Sequence, residues 1–182
     1  MPKKIENDAL IVQLLQNDET IEKGFKLLVE NYSQRLYWHI RSIVKNHQDA
    51  DDVVQNTFIK IFKGIKGFKS DAKLYTWLYR IATNESLTFL KRKKQTTSMD
   101  EVSSFNHTAP AFLDEKNTLT NLKIAIELLP EKQKLVFNLR YFEEMTYLDI
   151  SEITGTSIGG LKASYHHAIK KLKTYLKTNN IH

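Results

Sequence analysis

The sequence of 182 residues contains no cysteine. Disulfide bonds, cysteine-ligated zinc and a thiol nucleophile are therefore excluded. Proline is scarce, with three residues, and glycine occurs six times. No apolar run approaches the roughly 18 residues that a membrane span needs, and the basic start of the chain is followed by acidic residues rather than by the apolar segment of a signal peptide. We therefore expect a cytoplasmic protein.

Helical periodicity dominates the sequence, and the alternation typical of β-strands is rare. Both features predict an all-α fold. The first expected helices cover residues 8–16 and 19–44. Residues 95–118 have no periodicity, carry mostly acidic charge and contain Pro110, so they predict a flexible linker. The linker divides the chain into two small helical domains, residues 1–94 and 119–182.

The C-terminal third has the pattern of two short helices joined by a tight turn. Thr146 and Asp149 have the spacing of a capping box, Gly155 suits a helix end, and Ser157 is a candidate N-cap for the second helix. The apolar side of that helix consists of Leu161, Tyr165, Ala168, Leu172 and Leu176. The remaining polar side carries Lys162, Ser164, His166, His167, Lys170 and Lys171. The pattern favours a helix-turn-helix that binds DNA, and the alternative is an amphipathic pair with a solvated lysine face.

Charge is distributed in blocks along the chain, whose formal net charge is +6. Residues 60–94 contain ten basic and two acidic residues, whereas residues 95–118 contain four acidic residues and one lysine. A second basic block therefore precedes the helix-turn-helix, with an acidic spacer between them. This arrangement suggests two separate contacts with nucleic acid.

The basic block contains a glycine-rich loop, residues 64–70, in which Phe68 is expected to be exposed. The helix after it has a polar stripe made of Lys73, Thr76, Arg80, Asn84, Thr88 and Lys91. Tyr75, Trp77 and Tyr79 are expected to add aromatic surface beside this stripe. Cations and aromatic rings together suit single-stranded nucleic acid. For Trp77 alone, a packed position inside the domain is the favoured alternative.

An acidic segment lies between the two long helices of the N-terminal domain. Asp49, Asp51 and Asp52 suit a helix N-terminus, where the helix dipole favours negative charge. The inward face of this helix is expected to carry Val54, Phe58, Ile61 and Phe62. The exposed edge would then carry Asp51, Asp52, Gln55 and Asn56. Metal binding is the alternative, but no His or Glu stands at ligand spacing, so neither a metal nor a cofactor is expected.

Three segments together resemble an RNA polymerase sigma factor of the sigma-70 family. They are DADDVVQNTFIKIF, GFKSDAKLYTWLYRIATNESL and LPEKQKLVFNLRYFEEMTYLDISEITGTSIGGLKASYHHAIKKL. The size and the two-block layout resemble the extracytoplasmic-function (ECF) group, which keeps only regions two and four. The resemblance implies a transcription initiation factor, not an enzyme, that binds core RNA polymerase and directs it to promoters.

The resemblance also implies roles for individual residues. Docking on the polymerase β′ coiled coil is expected from Asp51, Asp52, Gln55, Asn56 and Phe58. Recognition and melting of the minus-ten element are expected from Lys66, Phe68, Lys69, Ser70, Lys73, Trp77, Arg80 and Asn84. Reading of the minus-thirty-five element is expected from Ser157, Gly160, Lys162, Ala163, Ser164, His166, His167 and Lys170. Region four is also expected to touch the β flap, and an anti-sigma factor is a further partner that the resemblance suggests.

The sequence departs from the family pattern at three of these positions. Asn56 stands where the family usually has glutamate, and Ser164 and His167 stand where it usually has arginine. A bidentate arginine–guanine contact is therefore absent at those two positions. Two rival functions remain, a stand-alone helix-turn-helix repressor and a nuclease. A repressor would leave the acidic edge and the basic block of residues 60–94 without a role. A nuclease would need a coherent catalytic constellation, which the sequence lacks.

Overall fold

The computed structural model describes residues 8–68, 73–97 and 118–178. These residues form eight α-helices and one short 3₁₀ turn, and no strand occurs among them. The all-α prediction is thereby confirmed. The helices are α1 Asp8–Leu15, α2 Ile21–Val44, α3 His47–Gly64, α4 Leu74–Thr97, α5 Thr118–Glu127, α6 Glu131–Tyr141, α7 Tyr147–Thr154 and α8 Ile158–Thr178. Most of the predicted linker, together with Lys69 and Ser70, lies outside the described residues.

Helices α1 to α4 form an N-terminal unit. The long helix α2 is central, because α1, α3 and α4 all pack against it. Its buried residues Leu28, Leu36 and Ile40 are spaced by four or eight positions, so they share one face. Ile61 from α3 and Leu78 from α4 are buried in the same core.

Helices α5 to α8 form a C-terminal unit with the helix-turn-helix at its end. A separate small core joins α5, α6 and α8 through Ile126, Phe137, Ala168 and Leu172. The turn has the predicted chemistry, because Thr146 and Asp149 make both bonds of a capping box. Gly155 ends α7 with a φ of 68°, and Ser157 Oγ accepts a hydrogen bond from Gly160 N at 3.3 Å. The helix-turn-helix prediction is confirmed in this detail.

The two units are packed against each other. Helix α7 lies against α4, and α6 lies against α2. Leu139, Ile150 and Ile153 of the C-terminal unit belong to the same buried cluster as the core of the N-terminal unit. We call this packing the closed arrangement. The sequence predicts the two units but not this contact between them.

Three aromatic residues lie differently from their sequence-based predictions. Phe68 was expected on the surface but is only 6% exposed, because its ring packs on Trp77 with centroids 5.2 Å apart. Tyr79 was expected to add surface but is fully buried against His39. Phe62 was expected to face inward but is 46% exposed, because Ile61 takes the inward position on that turn.

The packing of α1 on α2 depends on Gly24. A Cβ atom at this position would lie 2.9 Å from Leu14 Cβ and 2.9 Å from Leu15 N. We expect Gly24→Ala to lower the free energy of unfolding by roughly 1–3 kcal/mol, the usual cost of overpacking. Gly159→Ala is the control, because nothing lies within 4 Å of its Cβ position. Urea denaturation should leave the control unchanged or slightly stabilised, and equal losses in both variants would contradict the packing.

Candidate nucleic-acid and polymerase interfaces

Helix α8 presents one exposed face beyond the turn. Leu161, Ala168 and Leu172 are buried, which directs the opposite side of the helix outward. The exposed residues predicted to read DNA are Lys162, Ala163, His166, His167 and Lys170. Ser164 and Gly160 are half-buried, and the exposed Ser157 is engaged in capping α8. The exposed face thus carries lysine and imidazole side chains over its first four turns.

Helix α4 presents a second polar face. Lys73, Arg80 and Asn84 are exposed, whereas Thr76 of the same predicted stripe is buried. Trp77 is half-buried between Phe68 and Gly64. Its position agrees with the packed alternative and not with a ring that is free to stack on a base. The α4 surface is therefore a row of polar side chains next to packed aromatic rings.

The outward orientation of Asn84 depends on a buried hydrogen bond made by the preceding residue, Thr83. His39 Nε2 of α2 and Thr83 Oγ1 of α4 are 2.9 Å apart, and both side chains are buried. Burial lowers the pKa of His39 from 6.5 to about 4, so the ring is neutral at neutral pH. A neutral imidazole is compatible with a buried site, whereas an unpaired imidazolium is not. The hydrogen bond therefore fixes the rotation of α4 that turns Asn84 outward.

Helix α3 has an exposed acidic and amide edge. Asn46 caps the helix by accepting a hydrogen bond from Asp49 N at 3.3 Å. Asp51, Asp52, Gln55 and Asn56 are all exposed beyond the cap, as predicted. Phe58 is only half-buried, with its ring edge-on to Phe25 at 6.3 Å between centroids. The edge offers acceptors and amides to a partner, and Phe58 contributes more to packing than to the exposed surface.

Two apolar residues on α3 extend this edge and were missed by the sequence analysis. Ile59 and Phe62 are each 46% exposed. They follow Gln55 at intervals of four and three residues, so they lie on the same side of the helix. That spacing is visible in the sequence, but the inward face of α3 consists of Ala50, Val53, Thr57 and Ile61, one position away from most of the predicted inward residues. The α3 surface thus combines polar groups with an exposed apolar strip.

Asp149 links the helix-turn-helix to the start of α4. One carboxylate oxygen accepts a hydrogen bond from Lys73 Nζ at 2.9 Å, and the other accepts bonds from Thr146 N and Oγ1 at 3.1 and 2.6 Å. Burial raises the pKa of the Asp149 carboxyl, but the hydrogen bonds from Thr146, Lys73 and Tyr75 outweigh this and hold the pKa below its ordinary value. The bond to Asp149 raises the pKa of Lys73. The pair is therefore ionised at neutral pH.

Further contacts join the units along the same interface. Arg35 Nη2 of α2 donates to Glu143 Oε2 at 2.7 Å, and Lys45 Nζ lies 3.5 Å from Glu131 Oε1. A cavity of about 290 Å³ lies between the units, and both Asn84 and Ser164 line it. Periodicity and charge patterning do not predict these pairs, because the two partners of each pair are distant in the chain.

Within residues 8–68, 73–97 and 118–178, no three His, Cys, Asp or Glu side chains gather into a group that could hold a metal ion. None of the helices described in these segments is long and apolar enough to cross a membrane.

The chain matches two family models. Residues 28–96 match sigma-70 region 2, and residues 120–172 match sigma-70 region 4. The ECF RNA polymerase sigma-E factor of Haemophilus influenzae is 27% identical over 190 residues, covering 97% of this chain and 98% of that protein. The ECF RNA polymerase sigma-E factor of Escherichia coli K12 is 28% identical over 174 residues, covering 88% of this chain and 90% of that protein.

Solved structures share the fold. The sigma factor RpoE of Bartonella quintana, crystallised with the anti-sigma factor NepR, gives a TM-score of 0.70 at 26% identity, covering 85% of this chain and 98% of that chain. CnrH in complex with the cytosolic domain of CnrY gives a TM-score of 0.69 at 20% identity, covering 95% of this chain and 99% of that chain. At that lower identity the second likeness concerns the fold alone.

Two sigma-70 regions in this order, matching most of the chain, define a transcription initiation factor. The chain belongs to the sigma-70 family of RNA polymerase sigma factors, within its extracytoplasmic-function group. It binds core RNA polymerase and directs it to promoters.

The buried His39 predicts a dependence of stability on pH. Its folded-state pKa is about 4 against an ordinary 6.5, so its contribution is complete above pH 6.5 and is lost as the pH falls toward 4. Between pH 6.5 and 5 this loss should be about 2 kcal/mol. We expect His39→Gln to be less stable at pH 7 but to lose less stability between pH 7 and 5. Urea denaturation at both pH values measures this, and parallel losses in the two proteins would contradict it.

Proposed function

We propose that this sigma factor uses a separate helix for each of its three contacts. Helix α8 reads the minus-thirty-five duplex, α4 and the loop before it capture the melted minus-ten strand, and α3 docks on the β′ coiled coil of core polymerase. The observation that supports this best is the pair of exposed polar faces on α8 and α4 within one chain. A repressor would need only the first of them.

The recognition helix combines base contacts with phosphate contacts. Lys162 and His166 are one turn apart near the start of α8, where a recognition helix meets base edges. Their nitrogens can donate to the acceptor atoms of a purine in the major groove. Lys170 lies one turn further along and suits a phosphate. Because Ser164 and His167 replace the usual arginines, readout here relies on single rather than bidentate hydrogen bonds.

The α4 surface suits an unpaired strand. The Asn84 amide can donate to and accept from the edge of a flipped base, while Lys66, Lys73 and Arg80 can follow the phosphates. Extruding a base costs a few kcal/mol, which these contacts must offset. The sequence contains no ATP-binding motif, so melting draws on binding energy shared with the polymerase. Phe68 and Trp77 serve as the packed support of this surface, and Lys69 and Ser70 are proposed to complete it.

Docking on polymerase is proposed for the exposed edge of α3. Asp52 and Gln55 supply charge-assisted and neutral hydrogen bonds. Ile59 and Phe62 add apolar area beside them, which a helical partner such as a coiled coil can cover. Asn56 offers an amide where the family usually offers a carboxylate. The C-terminal unit is proposed to contact the β flap.

Further features follow from this role. An anti-sigma factor is a proposed partner, supported by the solved complex of the similar RpoE with NepR. The protein acts where polymerase and DNA are, in the cytoplasm, and is proposed to have neither enzymatic activity nor a cofactor. The proposed domains are residues 1–94 and 119–182, with a linker over residues 95–118, of which α4 includes the first three residues and α5 the last.

Run-off transcription with core polymerase on a promoter library tests the proposal. We expect transcripts from a small set of templates, and none with core polymerase alone. A tight and specific complex between duplex DNA and the free protein, unchanged by core polymerase and without transcription, would identify a repressor instead. Metal-dependent cleavage of the templates would identify a nuclease.

On the recognition helix, substitution of a base-contacting residue should have a different effect from substitution of a phosphate-contacting residue. We expect Lys162→Ala and His166→Ala to relax preference at individual minus-thirty-five positions, at a cost of roughly 1–3 kcal/mol each. Lys170→Ala should weaken all sequences about equally and reduce the salt slope by roughly one unit. Transcription from all single-base variants of the element, at two salt concentrations, measures both effects. A uniform loss in all three variants would mean that α8 holds the DNA without reading it.

A further inference from the structure

Two adjacent histidines lie in the middle of the exposed face of α8. The side chains of His166 and His167 are both exposed, and their ring centroids are 6.0 Å apart. His166 lies one helical turn from each of Lys162 and Lys170. Residues 153–182 contain five lysines and no acidic residue. The face that is proposed to read DNA therefore combines fixed positive charges with two imidazoles whose charge depends on pH.

The helices packed against α8 do not offer a carboxylate to these imidazoles. Those helices are α5, α6 and α7. Three of their carboxylates are engaged by lysines, in the pairs Glu127–Lys134, Glu131–Lys45 and Asp149–Lys73. Their other titratable side chains are Lys123, Lys132, Arg140, Tyr141, Tyr147 and Glu152. Between described residues, the ion pair that involves a histidine is that of His47 with Asp51 on α3.

DNA supplies the anions that the chain does not place beside these rings. Histidine is the side chain whose charge ordinarily changes between about pH 5 and 8. A nearby opposite charge favours the charged form, and duplex DNA carries one negative charge per about 1.7 Å of helix axis. The imidazolium donates hydrogen bonds from both ring nitrogens, whereas the neutral ring donates from one. An imidazole that enters the groove therefore gains a phosphate attraction and a second donor when it takes up a proton.

We propose that His166 and His167 take up protons when α8 binds the minus-thirty-five duplex, so that the affinity for DNA rises as the pH falls from 8 to 6. The inference rests on the proposed function of α8. The complex binds more protons than the free protein and free DNA together, and a low pH therefore favours its formation. Use of the promoter would then increase on acidification.

The charges that hold the rest of the fold do not change over this range of pH. Burial lowers the pKa of His39 to about 4, so its ring stays neutral down to pH 6. Hydrogen bonds to Asp149 hold the pKa of its carboxyl below the ordinary value, so the capping box at Thr146 keeps its charged partner. A change in DNA affinity between pH 8 and 6 can therefore be assigned to groups on the surface.

Two double variants separate the charge of the imidazoles from the presence of polar side chains. H166Q/H167Q keeps hydrogen-bonding groups but is neutral at every pH, whereas H166R/H167R is charged at every pH. Both positions are exposed, so neither variant changes the core. His47→Gln is the matched control, because it removes an exposed imidazole from α3 instead of from the recognition helix.

Fluorescence anisotropy measures the affinity of the free protein for a mixed-sequence duplex of about 20 base pairs at constant ionic strength. We expect the wild type and His47→Gln to bind roughly five-fold more tightly at pH 6 than at pH 8. H166Q/H167Q should bind weakly at both pH values, and H166R/H167R should bind tightly at both. In NMR titrations, the protonation midpoints of the two imidazoles should move to higher pH when the duplex is added.

Lys170→Ala shows separately whether α8 contacts the duplex, because its charge is lost at every pH. If it weakens binding at pH 8 while the wild type and H166Q/H167Q show the same pH dependence, proton uptake by these histidines is overturned and the proposed function of α8 stands. If Lys170→Ala binds like the wild type, both are overturned. Loss of the pH dependence in His47→Gln would also overturn the proposal, because the proton would then bind elsewhere. Circular dichroism at both pH values checks that helix content is retained.

Discussion

The Asp149 carboxylate is the group on which both the helix-turn-helix and the closed arrangement depend. One oxygen closes the capping box with Thr146 and so defines the start of α7. The other binds Lys73 and so holds α7 against the beginning of α4. Because the carboxylate is buried and charged, losing either partner would leave part of it unsatisfied. The same residue thus sets the local geometry of the DNA-reading motif and its position relative to the other unit.

Apolar packing and ion pairs have different roles in this interface. Leu139, Ile150 and Ile153 extend the core of the N-terminal unit, and burial of such side chains is the larger source of stability. The Lys45–Glu131 pair is largely exposed and contributes at most about 1 kcal/mol. Charges of opposite sign determine which faces meet more than how tightly they bind. An interface of this kind can hold two tethered units together and still yield to a partner with larger surfaces.

The chain between the two units is long enough to allow them to separate. Helix α4 ends at Thr97 and α5 begins at Thr118, so 20 residues connect them, which span at most roughly 70 Å. Docking of α3 on polymerase would fix one unit, and the other could then find its own site at a raised local concentration.

Much of the fold could be predicted from the sequence, because its signals are local. The capping box at Thr146, the positive φ at Gly155 and the apolar spacing of α8 each depend on neighbours within a few residues. The exposed edge from Asp51 to Asn56 followed from the same periodicity. Phe68 and Tyr79 could not be placed, because periodicity does not tell a packed aromatic ring from an exposed one.

The contact between the units could not be predicted from the sequence either, because its partners are far apart in the chain. Lys73 and Asp149 are 76 positions apart, and Arg35 and Glu143 are 108 apart. Charge patterning identified the basic side of α4 but gave no partner for it. A lysine that can bind a phosphate can equally bind a carboxylate of its own chain.

The distance between the two units in the free and the polymerase-bound protein tests this account most directly. The chain lacks cysteine, so spin labels can be attached at Lys63→Cys on α3 and Lys173→Cys on α8, both exposed. Pulsed dipolar spectroscopy should give one short distance for the free protein. With core polymerase and promoter DNA, the distance should lengthen by several tens of ångströms, toward the spacing of the promoter elements. The same distance in both states would contradict the account.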